Sequence, residues 1–133
     1  MKHPNINTVF VVDDDPIWRT LLVNMLKEIG YQNISAFESG PSCLYHLHKE
    51  PDLVFVDYSM SEMNGIELLQ QIRILVPDTS VVLCTSVEDI SLAVRAMRSG
   101  CADYITKTNT TKEELTNVIN ELGELRMLQE KIY

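Results

Sequence analysis

The chain has 133 residues, 45% of them hydrophobic and 23% charged, a globular composition that is neither disordered nor membrane-like. A length of this order suits one domain that buries its own core without disulfide staples. The net charge of −8, with 11 basic residues scattered along the chain, argues against a nucleic-acid surface, which needs clustered Lys and Arg.

No apolar run approaches the roughly 20 residues of a transmembrane helix. The opening "MKHPNINTVF" lacks a signal-peptide core, so a cytoplasmic protein without membrane attachment is expected. Cys43, Cys84 and Cys101 are odd in number, widely spaced and set among apolar residues, and read as reduced core thiols. His3, His46 and His48 show no metal-ligand spacing and are expected on the surface or on helices.

In chain order, a strand is expected at 8–12 ("TVFVV"). A helix follows with Trp18, Leu21, Leu22, Met25, Leu26 and Ile29 as its apolar stripe, Asp15 as cap, Pro16 at its first position and Gly30 at its end. A second strand falls at 34–37, and a weaker helix opens near "SGPS" with Leu44 and Leu47. The third strand is "LVFVD" at 53–57, and its helix covers roughly 65–75 with Ile66, Leu69 and Ile72 apolar. "SVVLC" at 80–84 leads to a helix over about 88–99, whose Ile90, Ala93, Val94 and Met97 are expected to face inward, with Ser91, Arg95 and Arg98 outward. The fifth strand, "DYIT" at 103–106, precedes a helix over about 111–131. Thr110 or Thr111 with Glu113 or Glu114 makes its capping box, and Leu115, Val118, Ile119, Leu122 and Leu125 its stripe.

Five strand–helix units in one chain predict an α/β fold, a parallel sheet with helices on both faces and a single domain over 1–133. In such sheets sites lie just past the carboxyl ends of the strands. Those ends carry Asp13 and Asp14, then Asp57, then Cys84, Thr85 and Ser86, then Thr106 and Lys107. Carboxylates gathered at one mouth repel unless a cation joins them, and Mg²⁺ favours a few carboxylates, waters and a phosphate oxygen. Shifting the register by one would select Asp14 and Asp15 instead; the alternation of "VFVV" favours the first two, with Asp15 left to cap the helix.

"VVDDD", "DLVFVDYSMSEMNGIELL", "VVLCTS" and "GCADYITK", in this order, make the chain resemble the receiver domain of two-component response regulators over essentially its whole length. The resemblance implies a flavodoxin-like receiver fold with strand order 2-1-3-4-5 and a phosphoacceptor at Asp57. It implies Mg²⁺ (with Mn²⁺ as alternative) held by Asp13, Asp14, Asp57 and the Ser59 backbone carbonyl. Thr85 and Lys107 match the phosphoryl-binding hydroxyl and ammonium, and Tyr104 the aromatic switch. The donor would be a sensor histidine kinase or phosphotransfer protein, and the output a downstream protein or a homodimer. Such a protein is a self-phosphorylating switch, not a turnover enzyme. Arg95 and Arg98, flanked by Tyr104 and Lys112, form a basic strip expected to serve as the interaction surface.

The chain departs from the family pattern at Thr108, where proline usually follows the lysine in a cis peptide. A cis bond before a non-proline costs about 2.5–4 kcal/mol, so the loop either bears that strain or presents Lys107 through a trans peptide. Ser61 and Asn64 are further departures that do not touch the chemistry, and Ser59 and Val87 occupy the positions that tune phosphate lifetime. Leu115, Val118, Leu122, Leu125 and Ile132 fall at a/d spacing, which suits a dimer contact or the start of a linker. Two other readings remain. "DDD" after an apolar strand also fits a haloacid-dehalogenase-type phosphatase with Asp13 as nucleophile, although Ile17 departs from that pattern. A degenerate receiver that acts without phosphorylation is the second, motivated by Thr108.

Overall fold

The computed structural model describes residues 2–86 and 88–132; Val87 and the side chains of Lys131 and Ile132 lie outside the described residues. The strands are β1 (Thr8–Val12), β2 (Asn33–Phe37), β3 (Leu53–Asp57), β4 (Ser80–Thr85) and β5 (Asp103–Thr106). They form one parallel sheet, as the strand–helix alternation predicts, in the order β2-β1-β3-β4-β5 that the family resemblance implies. The helices are α1 (Pro16–Ile29), α2 (Gly40–Tyr45), α3 (Gly65–Leu75), α4 (Ile90–Arg98) and α5 (Lys112–Ile132), with 3₁₀ turns at Leu47–Lys49 and Lys107–Asn109.

Strand side chains alternate between two cores. Val9, Val11, Leu53, Phe55, Val82, Cys84 and Ile105 face α1 and α5, against Trp18, Leu22, Leu26, Leu115, Ile119 and Leu122. Phe10, Val12, Val54, Val56, Val81 and Leu83 face α2, α3 and α4, against Cys43, Leu69, Ile72, Leu92 and Ala96. A parallel sheet covered on both sides has no solvent face, which is why these strands read as continuous apolar runs. The cysteines are free and buried. Burial pushes the Cys43 thiol up to about 12 and Cys101 to about 11, so neither is a ready nucleophile.

Caps set the helix starts. Asp15 accepts from the Ile17 amide at 2.9 Å ahead of Pro16. Asn64 and Glu67 form a reciprocal capping box on α3. Thr111 accepts from the Glu114 amide at 3.1 Å, which selects it over Thr110 as the α5 cap.

Several expectations are corrected. On α4 the buried residues are Leu92 and Ala96, while Ile90 is 85% exposed, Met97 55% and Val94 42%. Successive helical residues turn by about 100°, so Ile90 and Val94 each lie nearly opposite Leu92. The sequence holds two apolar stripes, and the narrower one meets the sheet. Leu21 and Leu125 are also about half exposed, at 48% and 53%, at the margins of their stripes. His3 is not a surface residue: it is buried, its Nδ1 accepts from the Asn5 amide at 3.1 Å and its Nε2 lies 3.2 Å from Glu124. Gly123 makes room for it, since a Cβ there would come within 2.2 Å of the imidazole.

Candidate functional site

Register brings the strand ends together. Val12 lies opposite Val56, so Asp13 and Asp57 emerge side by side from β1 and β3. Asp57 lies opposite Cys84, and Thr85 opposite Thr106, which carries Lys107 to the same edge. Alternation then divides the groups. Asp13 and Asp57 continue the rows of Val11 and Phe55 on the α1–α5 face, while Thr85 continues the row of Leu83 toward α4.

Asp13 is 1% and Asp57 5% exposed, yet both are partnered. Lys107 Nζ lies 2.7 Å from Asp13 Oδ2 and 3.2 Å from Asp57 Oδ1. Burial, with Asp13 adding repulsion, lifts the Asp57 carboxyl from 3.8 to about 6 despite the opposing pull of Lys107. Burial also pulls Lys107 down, but its hydrogen bond to Asp13 and the charges of Asp57 and Asp13 outweigh it, leaving the ammonium above its ordinary value. Two buried carboxylates against one cation leave an uncompensated negative charge at this edge.

Asp14 joins them from the exposed side, and one ligand oxygen from each of Asp13, Asp14 and Asp57 lies within 4.8 Å of the others. Asp15 is absent from this group, and its side chain caps α1. The Asp15 amide instead donates to Asp13 Oδ1 at 2.9 Å, and Arg19 donates to the Asp13 carbonyl at 2.7 Å. A donor set made only of oxygens, part buried and part open to water, fits a hard divalent cation.

Thr85 is buried at the end of β4. Tyr104 packs against the α4-side core, with Asp89 and the Thr85 side chain near its phenol. Burial raises its pKa. Ser59 is exposed, two residues beyond Asp57. No described peptide bond is cis, so Lys107 reaches the carboxylates through a trans bond to Thr108. Arg95 and Arg98 are exposed on α4 as expected, alongside Ile90 and Met97. Lys112 does not flank them. It pairs with Glu28 of α1 at 2.6 Å and so turns toward the opposite face of the sheet.

One contact at the site was not expected from the sequence. Trp18, placed by its period in the core, is buried there but also lies under Lys107, whose Nζ is 5.5 Å from the ring centroid. Its position one turn after the acidic triplet is the available signal, and periodicity alone absorbs it into the stripe.

Among the described residues no helix is long and apolar enough to cross a membrane. The sequence profile described as "Response regulator receiver domain" matches residues 9–120. Over 108 residues the chain is 37% identical to transcriptional regulatory protein ZraR of Escherichia coli (strain K12), covering 80% of this chain but only 24% of that protein. It is 30% identical over 100 residues to chemotaxis protein CheY of Listeria monocytogenes, covering 74% of this chain and 84% of that one. A CheY-like response regulator receiver domain protein from Methanospirillum hungatei JF-1 superposes with a TM-score of 0.84 at 22% identity, over 93% of this chain and 98% of that one. With the fold, the strand-end residues and the matched span in agreement, the chain belongs to the response regulator receiver domain family.

Proposed function

We propose that Asp57 takes a phosphoryl group from a histidine kinase or phosphotransfer protein, and that the added charge resets the Thr85–Tyr104 side of the domain. The observation that carries this reading is the pair of buried carboxylates, Asp13 and Asp57, sharing Lys107 at the strand edge with Asp14 beside them. An Asp57 oxygen attacks phosphorus, the bond to the donor breaks with its electron pair leaving on the donor, and an acyl phosphate forms. Lys107 turns its donors to the equatorial oxygens. Asp13, Asp14, Asp57 and the Ser59 carbonyl would hold Mg²⁺, or Mn²⁺ in its place. When bound, the cation neutralises charge on the phosphoryl oxygens and on the carboxylates that surround them.

The output follows from the division of the site between faces. The Thr85 hydroxyl turns toward the phosphoryl oxygens and away from the neighbouring Tyr104, so the change is passed to the ring and to Asp89 at the α4 cap. Arg95, Arg98 and Tyr104 then belong to the interaction surface, with a downstream protein or a second copy as partner. The domain is a cytoplasmic switch and not a turnover enzyme. The phosphatase and phosphorylation-independent readings are not favoured by the family match.

Acetyl phosphate with Mg²⁺ should add the mass of one phosphoryl group at neutral pH, as read by intact mass spectrometry. Asp57→Asn should remove the addition. Equal labelling of that variant would return Asp13 as the nucleophile.

Mg²⁺ should also raise the melting temperature, because an ion that binds only the folded chain stabilises it by mass action, by about 2.7 kcal/mol at one hundred times Kd. Asp14→Ala should abolish the response and, in EDTA, melt no lower than wild type, since a like charge has gone. An equal Mg²⁺ shift in both proteins would place the ion elsewhere.

A further inference from the structure

We propose that Trp18 is the positioning residue for Lys107, an inference that rests on the phosphoacceptor reading of Asp57. Lys107 is a four-carbon stem with a compact charge, able to point its ammonium in many directions. It opens a 3₁₀ turn that has no side-chain cap, and Thr108 and Asn109 after it are exposed. The backbone therefore brings the stem to the site without fixing its end.

Besides its ion pairs with Asp13 and Asp57, the end is held from α1. Nζ lies over the indole at 5.5 Å from the ring centroid, inside the roughly 6 Å reach of a cation–π contact. Trp18 is 7% exposed and wedged between α1 and the sheet, so the ring is a fixed wall. It covers one side of an ammonium whose side chain is only 14% exposed, and the N–H donors are left to point at Asp13 and Asp57. The next residue, Arg19, holds the Asp13 carbonyl at 2.7 Å. A single helical turn thus sets both a carboxylate and the ammonium opposite it. The aromatic face attracts the charge without claiming a hydrogen-bond donor, so Lys107 can swing from carboxylate to phosphoryl oxygen while keeping its wall.

The test uses the whole chain. In ¹⁵N-edited spectra, the Lys107 ammonium protons should be protected from exchange and displaced by the indole ring current. Trp18→Leu should abolish that displacement and lower the rate of phosphorylation by acetyl phosphate about fivefold at saturating Mg²⁺, with the Mg²⁺ affinity unchanged. Trp18→Phe, which restores an aromatic face, should bring the rate back to within about twofold. Because the chain has one tryptophan, Lys107→Met gives a reciprocal reading that leaves the ring in place. Its emission should differ from wild type and should no longer respond to beryllium fluoride with Mg²⁺. A folded Trp18→Leu protein with wild-type rate, or emission indifferent to Lys107→Met, overturns the proposal. Should wild type itself take no phosphoryl group, the function proposed for Asp57 fails, while the ring-current shift still tests the contact.

Discussion

Metal-free Asp57→Asn protein is expected to melt several degrees above wild type at pH 7.5. The folded Asp57 carboxyl titrates at about 6 against an ordinary 3.8, chiefly because it is buried and secondarily because Asp13 repels it. The folded chain therefore holds this proton more tightly than the unfolded chain does. Above pH 6 the charged carboxylate carries its full penalty, on the order of 3 kcal/mol as an upper bound. The penalty shrinks as pH falls from 6 toward 3.8 and vanishes below that. Asparagine keeps the shape and drops the charge, so it should gain about 1–3 kcal/mol at neutral pH. The difference between variant and wild type should close by pH 4. Thermal melts in EDTA across that range check it. A variant that melts at or below wild type at pH 7.5 would mean that the carboxylate is not repelled in the folded chain. Saturating Mg²⁺ should reverse the order, because only wild type retains all three carboxylates.

The strand ends were legible because two independent signals coincide there. Continuous apolar runs mark strands buried on both faces, and each run stops at a residue that no core would accept, such as Asp13 or Asp57. Helix caps were legible for the same reason: Asp15 before Pro16 is a local arrangement, settled within one turn. The phase of α4 was not. Ile90, Val94 and Met97 outweigh Leu92 and Ala96 in bulk, yet Leu92 and Ala96 are the residues packed into the core. Apolar weight predicts which face is buried only when every apolar residue is satisfied inside the chain. His3 was missed for the opposite reason. Nothing beside it in sequence announces burial, and its clue, the helix-interior Gly123, stands far along the chain.

The same division bears on the proposed signalling from Asp57 to α4. Asp13, Asp57 and Lys107 belong to the α1–α5 side, and Thr85 and Tyr104 to the α4 side, but β3 and β4 are adjacent and the Tyr58 amide donates to the Cys84 carbonyl at 3.0 Å. Thr85 follows Cys84, the residue opposite Asp57, and by strand alternation its side chain lies on the far face. Tyr104 stands near it on the strand edge beside the exposed α4 stripe.

Gly65→Ala is expected to cost about 3 kcal/mol, among the largest losses of any single methyl in this chain. Gly65 is the first residue of α3, and its amide donates to the Tyr58 carbonyl at 2.8 Å, closing the loop that follows Asp57. A Cβ there would lie 2.6 Å from the Asp57 carbonyl oxygen, 2.7 Å from Tyr58 Cα and 2.8 Å from Leu83 Cδ1. Two of those atoms are backbone at the end of the central strand, so relief requires moving α3 away from β3 or displacing Asp57 itself. Either path damages the acceptor, and phosphorylation by acetyl phosphate should fall with stability. Gly40→Ala makes the control. Its Cβ would meet only the Met63 side chain, Sδ at 2.9 Å and Cβ at 3.2 Å, which can shift, and Gly40 is the first residue of α2, outside the sheet. Urea unfolding of both variants should show a large loss for Gly65→Ala and little change for Gly40→Ala. Equal midpoints would mean that α3 can shift freely, and the tight seat of Asp57 would then lose its structural basis.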